Sequence, residues 1–255
     1  MIRYIGKCLL IEEEEVEKSK KNKKVERVLV VGDIHFGSVG GVGGIDLNRQ
    51  KYDEMISELE VVFEKIGKID KVIILGDLKD EFSSLLKEER YGIVNLFDYL
   101  EGKRSEIVVV RGNHDNFLLN IIGKRGYDLK NFYIWRRYCF LHGDSDYKEI
   151  YNKEIKVWMM GHLHPAINLR EGIKEERYKC FLEGEFKGKK IIILPSFIDV
   201  NEGIDVLNFR FEGNLPWKFN FKKFKVRVIG EKEEVFDFGI LGRLWKRMNY
   251  GEKIQ

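Results

Sequence analysis

The chain has five histidines, His35, His114, His142, His162 and His164, and all of them fall in short stretches shared with Asp, Asn and Gly. In order these stretches read Asp33-Ile34-His35, Gly76-Asp77, Gly112-Asn113-His114-Asp115, His142-Gly143-Asp144 and Gly161-His162-Leu163-His164. Two neighbouring divalent cations need oxygen and imidazole ligands, a carboxylate able to bridge them, and open positions for water and substrate. Carboxylate with imidazole suits manganese, iron or zinc, and the lack of a cysteine in these stretches argues against a closed structural zinc site. Asp33 and His35, two residues apart, point to one side of an extended strand end, and His162 and His164 repeat that geometry. Asp77 lies between the pairs in sequence and is the obvious bridge, Asn113 offers a neutral carbonyl oxygen, and His142 a further nitrogen. A lone Asp-x-His would mean little. Five such stretches in one chain, each preceded by a buried strand, read as one metal centre.

Strands must deliver these residues. Val25–Val31, Lys71–Leu75, Glu106–Val110, Tyr138–Leu141 and Lys156–Met160 are apolar runs of strand length, as strands covered on both faces require. Each enters one of the polar stretches. Tyr52, Met55, Ile56, Leu59, Val62, Phe63 and Ile66 recur at helical spacing, which predicts an amphipathic helix over Asp46–Lys65. A second helix is expected over Leu85–Leu100. The alternation argues for an α/β (α+β) fold with the chemistry at the C-terminal strand ends. Further strands are expected over Ile2–Ile11, Cys180–Phe186, Lys190–Leu194 and Val206–Phe211, with a turn at Lys187-Gly188-Lys189. The second half thus predicts a second sheet packed on the first.

The remaining segments have plainer readings. Glu12–Lys24 is nearly unbroken in charge and reads as a solvated hairpin connection. The Gly-rich stretch 37–44 reads as a mobile loop beside the site, since no Lys-Ser/Thr ending makes it a phosphate-binding loop. Pro216–Val228 alternates Trp217, Phe219, Phe221 and Phe224 with Lys218, Lys222, Lys223, Lys225 and Arg227. An edge strand with a buried aromatic face is the first reading, and a nucleic-acid contact through stacked bases the second. Leu241–Met248 predicts a short helix with Arg243, Lys246 and Arg247 outward. No repeat or Pro/Gly/Ser linker divides the chain. One domain over 1–255 is expected, with an N-terminal strand and charged connection over 1–24 and a basic and aromatic extension over 216–255.

With 255 residues and 44% hydrophobic content the chain can bury a sizeable core, while a net charge of only +3 names no partner. Three scattered cysteines make neither a disulfide framework nor a zinc ribbon. No apolar leader or bilayer-spanning stretch stands out, so a cytoplasmic chain with no membrane contact is expected.

Together, Asp33-x-His35, Gly76-Asp77-x-x-Asp80, Gly112-Asn113-His114-Asp115, His142 and Gly161-His162-x-His164 resemble the motif series of the calcineurin-like metallophosphoesterases. Within that superfamily the chain is most similar to archaeal phosphoesterases related to the nuclease SbcD and to bacterial phosphoesterases associated with DNA ligases. Gly76-Asp77-Leu78-Lys79-Asp80-Glu81-Phe82, Gly161-His162-Leu163-His164-Pro165-Ala166 and Leu194-Pro195-Ser196-Phe197 carry that closer likeness. The resemblance implies a four-layer α-β-β-α sandwich of two mixed sheets. It implies two divalent ions, manganese first, with nickel, iron or zinc as the others. Asp33, His35, Asp77 and His164 would hold one, and Asp77, Asn113, His142 and His162 the other. His114 would protonate the leaving group, with Asp115 orienting it. A hydroxide bridging the ions would attack phosphorus in line.

Two departures narrow the substrate. Asp80 is followed by Glu81 where related protein phosphatases carry Arg, and Asp115 closes the third motif where they carry Glu. A phosphodiesterase acting on nucleic-acid ends, nucleotides or small phosphodiesters fits better, and nothing asks for the ATPase partner of the SbcD nucleases. The alternative is a weakly catalytic binding module of the same fold, recruiting a nucleic-acid repair or RNA-processing partner.

Overall fold

The computed structural model describes residues 1–15, 24–37, 44–171, 174–198, 203–208 and 215–250. The chain opens with β1 (Ile2–Ile5), β2 (Cys8–Glu15) and β3 (Lys24–Val31), followed by α1 (Gly44–Ile66), β4 (Lys71–Ile74), α2 (Lys87–Gly102) and β5 (Glu106–Val110). Next come α3 (Leu119–Ile122), β6 (Leu129–Lys130), β7 (Phe132–Trp135), β8 (Tyr138–Leu141), β9 (Val157–Met160), β10 (Pro165–Glu171) and β11 (Lys174–Phe186). The last elements are β12 (Lys189–Ile193), β13 (Ile204–Asp205), β14 (Lys225–Ile229), β15 (Val235–Ile240) and α4 (Leu241–Tyr250).

Side-chain alternation in the central strands builds the layers. In β4, Val72 and Ile74 pack toward α1 and α2, while Ile73 and the following Leu75 pack toward the other sheet. Strand β3 divides in the same way, Leu29 and Val31 to the helices and Val28 and Val30 to the interior. From the opposite side, β8 and β9 send Tyr138, Phe140, Val157 and Met159 into that shared interior. Their alternate residues Cys139, Leu141, Trp158 and Met160 face outward beneath the C-terminal segment. A strand buried on both faces needs no polar alternation, which is why these runs read as continuously apolar.

The six-stranded sheet runs β1-β2-β3-β4-β5-β6, parallel from β3 onward. The nine-stranded sheet runs β13-β10-β11-β12-β9-β8-β7, with β14 pairing β11 and β15 pairing β14. Both are mixed, and α1 and α2 cover the first sheet on its outer face. The outer layer on the second sheet combines the helical turns Lys148–Tyr151 and Phe221–Lys223, the aromatic run and the start of α4. Among the described residues no helix is long and apolar enough to cross a membrane.

Several expectations need correction. The single strand over Ile2–Ile11 is a hairpin, because Gly6 at φ 51° turns the chain back and pairs Ile5 with Cys8. Strand Val206–Phe211 is absent where described: the strand is Ile204–Asp205, and Asp205 then folds a turn by accepting the Leu207 amide at 3.1 Å. Its remainder, like the reading of the Gly-rich stretch between 38 and 43, lies outside the described residues. Pro216–Val228 is no edge strand, since only Lys225–Ile229 is strand and it lies between β11 and β15. Its aromatic face is buried as expected, with Trp217, Phe219, Phe221 and Phe224 each less than a tenth exposed. Bases could stack on these rings only if they left the core.

The segment is seated by a close approach. A Cβ on Gly184 of β11 would lie 2.2 Å from Phe224 Cδ1, so only glycine lets the ring lie against the strand. Phe224→Ala should therefore destabilise the protein by about 3–5 kcal/mol in denaturant unfolding. A loss below about 1 kcal/mol would show that the segment is not part of the core.

Candidate metal centre

Strands β3 and β4 stop one residue short of the polar stretches, β8 and β9 run directly into them, and the backbone then leaves the extended region. Asp33, His35, Asp77, His162 and His164 all have positive φ, at 54°, 48°, 48°, 68° and 44°. The expectation that Asp33/His35 and His162/His164 share the side of an extended strand is thus corrected, because left-handed turns bring these side chains to one focus. Such a conformation disfavours L-residues by roughly 1–2 kcal/mol each. Backbone bonds across the strand ends hold it, including His35 N–H to Asp77 O at 2.8 Å and Gly161 N–H to His142 O at 2.9 Å.

Glycine is required where the turns crowd together. A Cβ on Gly112 would lie 2.1 Å from Asp77 Oδ1, and one on Gly161 would lie 2.2 Å from Asp33 Oδ2. Each glycine lets a carboxylate pass directly over the backbone of a neighbouring strand end.

Among the described residues three groups of ligand atoms result; one gathers His35, Asp80 and His114, and the other two share Asp77. Of those two, Asp33, His35, Asp77 and His164 converge in one, and Asp77, His142 and His162 in the other. In the first, His35 Nε2 faces His164 Nε2 at 3.1 Å, and His164 Nε2 lies 3.2 Å from Asp33 Oδ1. In the second, His142 Nε2 faces Asp77 Oδ2 at 3.2 Å, Asn113 Oδ1 at 3.0 Å and His162 Nδ1 at 3.1 Å. The far nitrogens already have partners: His142 Nδ1 donates to Leu75 O at 2.8 Å, and His35 Nδ1 meets Asp80 Oδ1 at 3.0 Å. Such outer bonds fix the tautomer and turn the Nε2 lone pairs inward, as metal-binding imidazoles require. A mixed imidazole, carboxylate and amide-oxygen set therefore fits divalent cations.

The electrostatics agree. Burial alone would raise the Asp33 and Asp77 pKa values, but His164 and His142 outweigh it and hold both carboxyls below their ordinary range. Burial likewise works against charge on His142, yet the Asp77 and Asp33 carboxylates push its pKa up to about 10. His35 is raised too, against its burial, mainly by its bond to Asp80.

His114 and Asp115 are arranged differently from expectation. Asp115 does not orient His114. Its carboxylate accepts the amides of Asp77 at 2.9 Å, Leu78 at 2.9 Å and Gly112 at 2.8 Å, which makes it a clamp between two strand ends. Burial, then repulsion from Asp77, raises its pKa to about 6. The partner of His114 Nδ1 is the Asp80 carbonyl, and His114 Nε2 lies 3.9 Å from Asp77 Oδ2. Asp144 accepts the Ser145 hydroxyl at 3.0 Å.

Sequence reasoning missed Glu89. It is fully buried at the start of α2 and accepts the amides of Asp80 at 2.9 Å, Glu81 at 2.7 Å and Leu86 at 2.8 Å. A Glu in the first turn of a helix is the available signal, but no Ser or Thr precedes it to mark a capping box.

Two measurements follow. Gly112→Ala should preserve the circular dichroism spectrum yet weaken metal binding by about 10–100-fold in calorimetric titration, the usual effect of displacing a ligand's support. The second concerns pH. In protein stripped of metal, the protons held on His142 and His35 stabilise the fold fully below the ordinary histidine value of 6.5, and this contribution is lost as pH rises toward about 10. Chelator-treated protein should therefore melt lower at about pH 9 than at about pH 6, while metal affinity rises over the same window because binding displaces those protons.

A family model for calcineurin-like phosphoesterases matches residues 26–230. Comparison with curated proteins found no match. Among solved structures, the Pseudomonas putida nuclease MPE is similar with a TM-score of 0.57 at 15% identity, over 89% of this chain and 100% of that one. YfcE, a phosphoesterase from E. coli, gives a TM-score of 0.39 at 14% identity, over 84% of this chain and 98% of that one. Vps29 from Entamoeba histolytica gives 0.36 at 17% identity, over 83% of this chain and 99% of that one. The likeness to MPE shows a shared fold. The family match runs from within β3 to just past β14 and takes in each strand end that carries the site, so the chain belongs to the calcineurin-like phosphoesterase family.

Proposed function

We propose that the chain hydrolyses phosphodiesters at a pair of divalent cations, manganese first. Asp33, His35, Asp77 and His164 hold one, and Asp77, Asn113, His142 and His162 the other. The observation that carries this reading is the position of Asp77. Its Oδ2 lies 3.2 Å from His142 Nε2 in one group and 3.6 Å from His35 Nε2 in the other, so one carboxylate serves both. Bound there, the ions supply Lewis acidity and a nucleophile available near neutral pH.

The side chains supply orientation and a proton. With Nδ1–H of His114 donated to the Asp80 carbonyl, Nε2 is the ring nitrogen left to exchange a proton, at the edge of the shared carboxylate. That side chain is 18% exposed, against 2% for Asp77, so it is reachable by a substrate entering from solvent. His114 is assigned to contact the phosphoryl group and protonate the leaving oxygen. Asp115 acts through structure, keeping Gly112 and Asp77 in register.

A diester fits the charge balance better than a monoester. Among the described residues no Lys or Arg forms an ion pair with Asp33, Asp77 or Asp80, whose ion-pair partners are all histidines. A singly charged phosphodiester asks for less neutralisation than a dianionic monoester. The nuclease name of the P. putida protein points the same way. Nucleic-acid ends, nucleotides and small phosphodiesters are the substrates proposed.

Metal-stripped protein given back manganese, nickel, zinc or magnesium should hydrolyse bis-p-nitrophenyl phosphate faster than p-nitrophenyl phosphate. His114→Ala should keep its metal content and lose about 10²–10⁴-fold in turnover. Full activity in metal-loaded His114→Ala would remove the general acid. Hydrolysis of neither ester with any metal, despite two ions bound per chain, would favour the binding-module reading.

A further inference from the structure

Phe82 belongs to none of the ligand groups, yet its ring packs on that of His114 with centroids 3.7 Å apart and planes 34° from parallel. One face of the phenyl thus covers the histidine assigned to the leaving group. Phe82 is also 50% exposed, so much of its remaining surface meets solvent.

The loop beneath this ring is tied down. Buried Glu89 fixes the amides of Asp80 and Glu81 just before Phe82 and that of Leu86 after it. Glu81 folds back to accept both the amide and the hydroxyl of Ser83, at 2.9 and 2.6 Å. An exposed ring on a pinned loop is preorganised for contact, because little order remains to be lost on binding. A second phenyl, Phe117, follows His114 by three residues and is 52% exposed with φ 68°. A bulky residue in that region is a conformational outlier. Arg111, also exposed, reaches Asn116 Oδ1 at 3.3 Å on the same turn and adds a cation suited to a neighbouring phosphate.

Resting on the phosphodiesterase reading above, we infer that Phe82 is a stacking platform for a nucleobase, carried on the sugar that leaves from the scissile phosphate. The side follows from the geometry: the ring lies against the proton donor for the leaving oxygen. The substrate class is then a nucleotide diester or single-stranded end, and base identity matters little, since every base offers a π-face.

The test uses the full, metal-loaded chain and three dinucleotides: one with both bases, and two in which one or the other nucleoside is abasic. Wild-type kcat/KM should favour the base-bearing leaving nucleoside by about 5–150-fold, the effect of stacking one base. Phe82→Ala should bring that ratio close to one, and Phe82→Trp should restore it. Because the ratio compares substrates on one variant, a general disturbance of His114 cancels. Deoxyribo and ribo series run side by side separate a DNA from an RNA source. As a readout apart from turnover, 2-aminopurine nucleoside monophosphate should lose fluorescence on binding wild type, and keep it with Phe82→Ala.

If Phe82→Ala leaves the ratio unchanged, or wild type cleaves all three dinucleotides equally, the platform is refuted and the phosphodiesterase reading stands. If none of the three is cleaved while bis-p-nitrophenyl phosphate is, the platform falls alone; if bis-p-nitrophenyl phosphate is not cleaved with any added metal either, both fall.

Discussion

Two carboxylates, Asp33 and Asp77, are almost wholly withdrawn from water and surrounded by imidazoles, and most of the molecule can be understood as support for that arrangement. A buried charge is tolerated only when it is paired and hydrogen-bonded. Asp33 accepts the His162 amide at 3.0 and 3.1 Å, and Asp77 accepts the His114 amide at 2.9 Å, so each also holds the next strand end in place. The carboxylates come from the first sheet, and His142, His162 and His164 from the second. The centre therefore exists only at the seam between sheets. The interior formed by Val30, Ile73, Leu75, Phe140 and Met159 sets the separation across which these groups meet.

Left-handed backbone at five ligand positions opposes folding, and the molecule offsets it locally. Cross-strand amides bond the carbonyls of Gly76, Asp77 and His142, and Asp115 gathers three further amides with one carboxylate. Such strain persists where the surroundings over-determine it, and it clusters at functional sites. Here it brings Asp33 with His35, and His162 with His164, to one focus. The flanking glycines belong to the same device, since any side chain at Gly112 or Gly161 would strike a carboxylate.

The ligand residues and the strands leading to them were readable because both signals are local in sequence. A run such as Val-Ile-Ile-Leu entering Gly76-Asp77 announces a doubly covered strand and its polar end together. The hairpin at Gly6 was equally local, but ten apolar-rich residues masked a single turn glycine. What could not be read is what depends on distant partners. The buried aromatic face of Trp217, Phe219, Phe221 and Phe224 was legible, but its seating depends on Gly184, over thirty residues away, leaving room for Phe224. Adjacency in sequence also misled: Asp115 follows His114, yet its carboxylate turns to the amides of Asp77, Leu78 and Gly112. The residue that does support His114 is Asp80, through a backbone carbonyl that no side-chain pattern reveals.

Asp80 joins the two functions of the centre. Its carboxylate meets His35 Nδ1, and that bond, ahead of its partial burial, holds its pKa below the usual carboxylate range. A carboxylate behind a ligand imidazole raises the basicity of the ligand. The same residue's carbonyl fixes His114, so the candidate ligand His35 and the proposed proton donor His114 are set by one short loop rather than by two independent supports. That loop hangs from Glu89 on α2, outside the sheets and away from the other ligands. Residues beyond Asp80 in the loop can therefore vary the surface offered to the substrate while the two bonds from Asp80 hold the chemistry in place. Phe82 occupies such a position, two residues past the fixed point and against the ring of His114.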